Sequence, residues 1–183
     1  MNVLLKLFIA LMVMYYIGII YLITNPQVSS EYQSYFIKNT TDLSPLEISQ
    51  LKPIQFNKSY SFNDTIIGFD GWSNAENTFR WSAKKKVKIV FLLAENQIPP
   101  SSQSFLVLQL GSLGNQQIEL VINGRKLSKS TIHQEIQWSI PIESTDLIEG
   151  KNVLEILLPN ARSPGKGDLR TLGILIKSFS IKN

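Results

Sequence analysis

No cysteine occurs in this chain of 183 residues, and its only histidine is His133. The first absence removes disulfide bridges, thiolate metal sites and cysteine nucleophiles, and the second removes any cluster of histidine ligands. Charge is sparse as well. Eighteen basic residues against 14 acidic ones leave a net charge of +4, with the lysines scattered. Nucleic-acid binding asks for a concentrated basic surface, so no nucleic-acid partner is expected. The one dense basic run, "AKKKVK" at 83–88, reads as a solvated turn entering a strand. "SPGKGD" at 163–168 is glycine-rich but lacks the spacing and the strand-to-helix setting of a phosphate loop. Asn39, Asn57 and Asn63 each open an Asn-x-Ser/Thr triplet, which would be a glycan acceptor only in a eukaryotic secretory setting.

What the chain does have begins at its N-terminus. "LFIALMVMYYIGIIYLI", residues 7–23, contains no charge and shows no polar face. As a helix it spans roughly 25 Å, close to the hydrocarbon thickness of a bilayer once its flanks are added. Lys6 is the only basic residue ahead of it, and no small-x-small cleavage site follows at a suitable distance. An uncleaved signal anchor over 1–24 is favoured over a cleaved signal peptide. The anchor places the lipid bilayer among the partners. It also predicts a single-pass protein with a cytoplasmic N-terminus and its main domain periplasmic or extracellular.

Residues 25–55 read as a stalk or lead-in, because Pro26, Pro45 and Pro53 interrupt any long helix; only "SPLEISQL" at 44–51 has a helical start signal. From residue 56 to 183 the period becomes that of strands. "VKIVFLLA", "SFLVLQLGSL", "QIELVING", "EIQWSIPI", "NVLEILLP" and "LGILIKSFSI" are apolar or alternating runs separated by Gly, Pro and Asn turns. Ile136, Trp138, Ile140 and Ile142 share one face, as do Leu154, Ile156 and Leu158. Asn123-Gly124 marks a tight hairpin. About seven or eight strands without a helix between them predict an all-β, antiparallel β-sandwich, jelly-roll-like. The unalternating run Ile89–Leu93 suits a strand covered on both faces.

One phrase, "GFDGWSNAENTFRWS" at 68–82, concentrates two of the three tryptophans. Gly71, Trp72, Ser73, Glu76, Arg80 and Trp81 in that phrase, Asn123-Gly124 in the middle, and Asp168, Arg170, Leu172 and Gly173 near the end occur in a recognisable order. In this the chain resembles the small jelly-roll-like sandwich domains attached to bacterial membrane-anchored glycosyltransferases and phosphoglycerol transferases. That resemblance covers roughly residues 56–183. It implies an accessory or carbohydrate-recognition domain in cell-envelope polysaccharide or glycolipid modification, with an envelope glycan or glycolipid as ligand and a membrane glycosyltransferase as partner. It brings no catalytic set with it.

The candidate ligand-binding residues are therefore Trp72, Glu76, Arg80, Trp81, Asp168 and Arg170. The tryptophans would offer flat apolar faces to sugar rings while Glu76 and Arg80 bond hydroxyls. The competing reading makes one tryptophan core, Trp81 before Trp72 because Trp81 sits in an apparent strand, and spends Glu76 on Arg80 or Arg170. Asp168 and Arg170 either hold a ligand carboxylate or phosphate or close an internal ion pair, Arg170 being suited to bidentate contact. Glu76 and Asp168 would serve as an acid and base pair only if they faced one cleft, and a calcium ion on Asp70 and Asp168 would need further oxygen ligands. No catalytic residue, metal or cofactor is assigned. A structural protein-interaction module and a glycan-modifying enzyme remain the alternatives.

Overall fold

The computed structural model describes residues 3–24, 40–98, 103–165, 168 and 170–183. Residues 25–39 of the expected stalk, Asn39 of its triplet among them, and Lys166 and Gly167 of the glycine-rich loop lie outside the described residues. The chain divides into two compact units, Met1–Gln33 and Ser34–Asn183. In the first, α1 runs Val3–Thr24 with no buried residue, and the Thr24 hydroxyl closes its last turn by donating to the Ile20 carbonyl at 2.8 Å. Its length and composition meet the requirement of a membrane span, a requirement signal sequences also meet.

The second unit is an antiparallel sandwich with ten strands, seven of them long. The short ones are β1 (Tyr60–Ser61), β2 (Gly68–Asp70) and β3 (Arg80–Trp81). The long ones are β4 (Lys86–Leu93), β5 (Ser104–Ser112), β6 (Gln116–Ile122), β7 (Arg125–Ile132), β8 (Ile136–Ile142), β9 (Gly150–Leu157) and β10 (Ile174–Lys182). The first sheet has the order β2-β4-β9-β6-β7. The second has the order β1-β10-β5-β8, with β3 also pairing β10.

Alternation builds the interior. Val87, Ile89 and Phe91 of β4, Leu154 and Ile156 of β9, and Ile118, Leu120 and Ile122 of β6 meet Leu106, Leu108 and Leu110 of β5 and Ile174 and Ile176 of β10. Phe91 and Phe179 touch across the layers with ring centroids 5.1 Å apart. Each such side chain contributes about 1.5–3 kcal/mol by leaving water. In β10 the alternation is not continuous. A register shift between Ile176 and Ser178 turns Phe179 and Ile181 inward, where unbroken alternation would have placed Ser178 and Ser180.

The expected hairpin turn is present: Asn123 and Gly124 have φ of 48° and 87°, between the paired Ile122 and Arg125. The Asn123 side chain also reaches the fully buried Asn152, donating to its Oδ1 at 2.8 Å and to the Asp146 carbonyl at 2.9 Å. Asn152 in turn donates to the Ile148 and Gly150 carbonyls and accepts from the Ile148 amide. The hairpin and the loop before β9 are thus one hydrogen-bonded unit.

Packing against the sandwich starts earlier in the chain than the residue-56 boundary drawn from periodicity. Thr41 bonds both ways to the loop after β2: its amide donates to the Trp72 carbonyl, and its carbonyl accepts from the Gly71 amide, each at 2.6 Å. Its hydroxyl donates to the Phe69 carbonyl at 2.7 Å. Then α2 (Pro45–Gln50) begins at Ser44, whose hydroxyl accepts from the Glu47 amide while the Glu47 carboxylate accepts from the Ser44 amide. Pro53 bridges Leu92, and Ile54 enters the core.

Candidate functional site

The 68–82 phrase folds as β2, a glycine corner, a loop and β3. Gly71 has φ of 79°, and a β-carbon there would stand 3.1 Å from the Lys86 carbonyl, so a side chain is excluded on two grounds. The next residue, Trp72, is fully buried, donates its indole N–H to the Lys88 carbonyl at 2.9 Å and meets Phe69 edge-on. It offers no face to a ligand, which corrects the expectation of a sugar-stacking Trp72: the corner drives the ring into the core. Arg80 is also turned inward. Its guanidinium lies 4.9 Å from the Phe69 ring centre and donates to the Ser73 carbonyl at 3.0 Å. Burial lowers its pKa from the ordinary arginine value, and its contacts are carbonyls and a ring face.

Arg170 collects the acids. It grips Asp168 through Nε and Nη2, the shortest contact being 2.7 Å, and reaches Glu76 through Nη1 at 2.7 Å. Those hydrogen bonds hold the Asp168 carboxyl below its ordinary pKa and push the guanidinium up. The structure therefore joins three predicted site residues, Glu76, Asp168 and Arg170. The form is a closed ion triad that ties the loop before β10 to the loop before β3. Both carboxylates of the acid and base reading, Glu76 and Asp168, are engaged by Arg170. The calcium reading loses its ligands in the same way: Asp168 faces Arg170, and Asp70 faces Lys88 at 3.0 Å. Among the described residues no three His, Asp or Glu side chains converge on one point.

Trp81 alone of the two tryptophans stays at the surface. It pairs with Leu175, so it stands on the outer face of the second sheet, half-buried, with Phe79 edge-on at 5.9 Å. Along this face β5 contributes Gly111, Gln109, Val107 and Phe105, and β8 contributes Gln137, Ser139 and Pro141 opposite them. Ser178 donates to Gln109 across from β10. The strip from Gly111 to Phe105 measures about 20 Å at the usual strand rise. Its middle is polar, with an aromatic ring at each end, and the Gln109 amide donates at 3.1 Å to Glu135, which pairs with Lys177 at 2.6 Å beside the strip.

The outer face of the first sheet is different, and the sequence shows only that β4 is covered on both sides, without the groove. A groove of about 590 Å³ runs between α2 and the loop before β9, floored by Val90 and Val153 and walled by Leu43, Ile48 and Ile148. At one end Lys88, Asp70 and Glu155 lead into an adjoining recess with Lys84 and Lys86. Lys84, Lys86 and Lys88 pair with Asp42, Glu155 and Asp70 at 2.6, 2.7 and 3.0 Å. The basic run is thus a set of surface ion pairs entering β4, and the hydrogen bond to Asp70 raises the Lys88 pKa. The available signal was the outward Val90, buried inside the run Ile89–Leu93 and therefore covered by something outside the sheet.

No protein-family model and no curated protein matches this sequence. Among solved structures, several are similar to part of this chain. A family 35 carbohydrate-binding module from an environmental isolate is 12% identical over 69% of this chain and 93% of its own, with a TM-score of 0.46. A family 35 module from Paenibacillus barcinonensis is 12% identical over 69% of this chain and 99% of its own, also at 0.46. A family 36 domain of a xylanase from the hindgut metagenome of Trinervitermes trinervoides is 14% identical over 64% of this chain and 89% of its own, at 0.41.

Proposed function

We propose that this chain is a membrane-anchored accessory domain of the bacterial cell envelope that recognises carbohydrate with the outer face of its second sheet. The observation that carries this reading is Trp81, half-buried on that face with Phe79 against its edge. Sugar rings have apolar faces that stack on such rings and hydroxyls that need neutral donors and acceptors. Gln109, Gln137, Ser139 and Ser178 supply the latter, at a smaller desolvation cost than ion pairs would carry. The Glu76–Arg170–Asp168 triad serves here as the brace that fixes the loop ahead of Trp81. The apolar helix α1 supports the membrane location, and the resemblance of the 68–82 phrase and its companions supports the envelope context.

The test is a binding screen of the full chain in nanodiscs against purified envelope polysaccharide fragments and simple oligosaccharides. At least one glycan should bind, and Trp81→Ala should weaken it about tenfold while the fold persists. Absence of glycan binding, together with specific crosslinking of one membrane protein to the second sheet, would replace this reading with a protein-interaction module.

A further inference from the structure

The groove on the first sheet has a chemistry that the glycan reading does not use. Its floor and walls are aliphatic: Leu43, Ile48, Val90, Ile148 and Val153, with no aromatic ring. The main-chain groups beneath it are taken up, because Val90 pairs with Val153 in the β4–β9 ladder. A peptide laid over this floor would find no hydrogen bonds for its backbone, whereas a hydrocarbon chain needs none. The volume, about 590 Å³, falls in the range of small-molecule sites.

The charges give the occupant its polarity. Moving along β9, Lys151, Val153 and Glu155 all line the groove, so Lys151 and Glu155 mark its two ends about 13 Å apart at the strand rise. The Glu155 end is a satisfied cluster with Lys86, Lys88 and Asp70. Lys151 is exposed and, unlike Lys88, has no carboxylate partner among the described residues. One end is thus neutralised and the other presents an uncompensated cation beside an aliphatic trough.

We infer that this groove binds a single-chain anionic amphiphile, with the hydrocarbon held between Ile48, Ile148 and Val153 above the covered Val90 and the phosphate or carboxylate head at Lys151. The inference is independent of glycan recognition, since the two sites occupy opposite outer faces.

The test titrates the full chain, in phosphatidylcholine nanodiscs, with decyl phosphate, decanol or inorganic phosphate, and follows the valine and isoleucine methyl resonances. Each variant is compared with the parent chain within one probe, which cancels uptake by the bilayer. Decyl phosphate should shift the Val90 and Val153 methyls in a saturable way, and inorganic phosphate should leave them unmoved. Lys151→Gln should weaken decyl phosphate roughly tenfold, the effect of one charge-assisted hydrogen bond, and leave decanol unchanged; Lys151→Arg should restore it. Ile148→Ser, at an exposed wall position, should weaken both amphiphiles. Three results would overturn the inference: unmoved methyls with every probe, an equal effect of Lys151→Gln on decanol, or the same shifts from inorganic phosphate alone. Glycan binding is read separately at Trp81, so failure here leaves that reading standing, and the reverse also holds.

Discussion

On the outer face of the first sheet, Lys86, Lys88, Asp70 and Glu155 form paired charges beside an aliphatic groove. On the outer face of the second, Gln109, Gln137, Ser139 and Ser178 lie between Trp81 and Phe105, with the Lys177–Glu135 pair beside Gln109. Both faces arise from the same two-residue alternation over a shared core, so the difference comes entirely from the outward residues. Ion pairs resist being covered because desolvation opposes their attraction, whereas amides, hydroxyls and rings are covered at lower cost. One face therefore favours contact with a flat, neutral ligand, and the other admits a ligand only where its apolar trough opens.

The sharpest way to break this comparison is to remove the ring that both faces stand on. Trp72→Ala should cost about 3–5 kcal/mol, read from the urea midpoint, and should abolish both binding activities with the fold. A mild stability loss accompanied by selective loss of glycan binding would put Trp72, and not Trp81, at the ligand. Next comes Asn152→Ala, which strips partners from the Ile148 amide and the Asn123 side chain. It should cost about 1–3 kcal/mol and raise amide exchange at Ile148, on the groove side alone. Trp81→Ala should cost only about 1 kcal/mol while disabling the second face, measured as binding loss without a matching fall in midpoint.

Smaller effects sharpen the contrast. Arg170 holds Asp168 below its ordinary pKa, so between the two values the unfolded chain binds more protons than the sandwich. The resulting stability is fully present above about pH 3.9, the unfolded aspartate value, and is lost as pH falls through the lower folded one. Asp168→Asn should flatten that acid limb in urea midpoints taken across pH. Lys86 and Glu155 sit at side-chain exposures of 50% and 26%, so Glu155→Gln should change stability by less than about 1 kcal/mol, and by still less at high salt.

The sandwich was legible in the sequence because its inward rows, such as Ile136–Ile142 and Leu154–Leu158, obey alternation without help from distant residues. Where alternation misled, a local insertion was responsible. The bulge after Ile176 exchanges the faces of Ser178, Phe179, Ser180 and Ile181, and nothing in "KSFS" announces it. The triad was half legible: Asp168 and Arg170 are two residues apart, while Glu76 joins them across 94 positions. Its place in an apparent strand favours Trp81 as the structural ring and leaves Trp72 as the exposed one, and the fold reverses both. Only the positive φ at Gly71 and the pairing of Trp81 with Leu175 separate them. The groove was hidden because its wall, α2, comes from a segment that composition marks as a lead-in.

The Thr41 clasp also has a mechanical consequence. Tension arriving from the N-terminal side of the chain meets Thr41 before any strand, and its hydroxyl, amide and carbonyl all hold the β2 corner. Because those bonds end on Phe69, Gly71 and Trp72, a pull is delivered directly to the Trp72 neighbourhood in the core, bypassing α2. For the proposed anchored state that makes Thr41 the bearing point, and Thr41→Val should lower the force of first yielding in single-molecule extension while leaving the equilibrium fold in place.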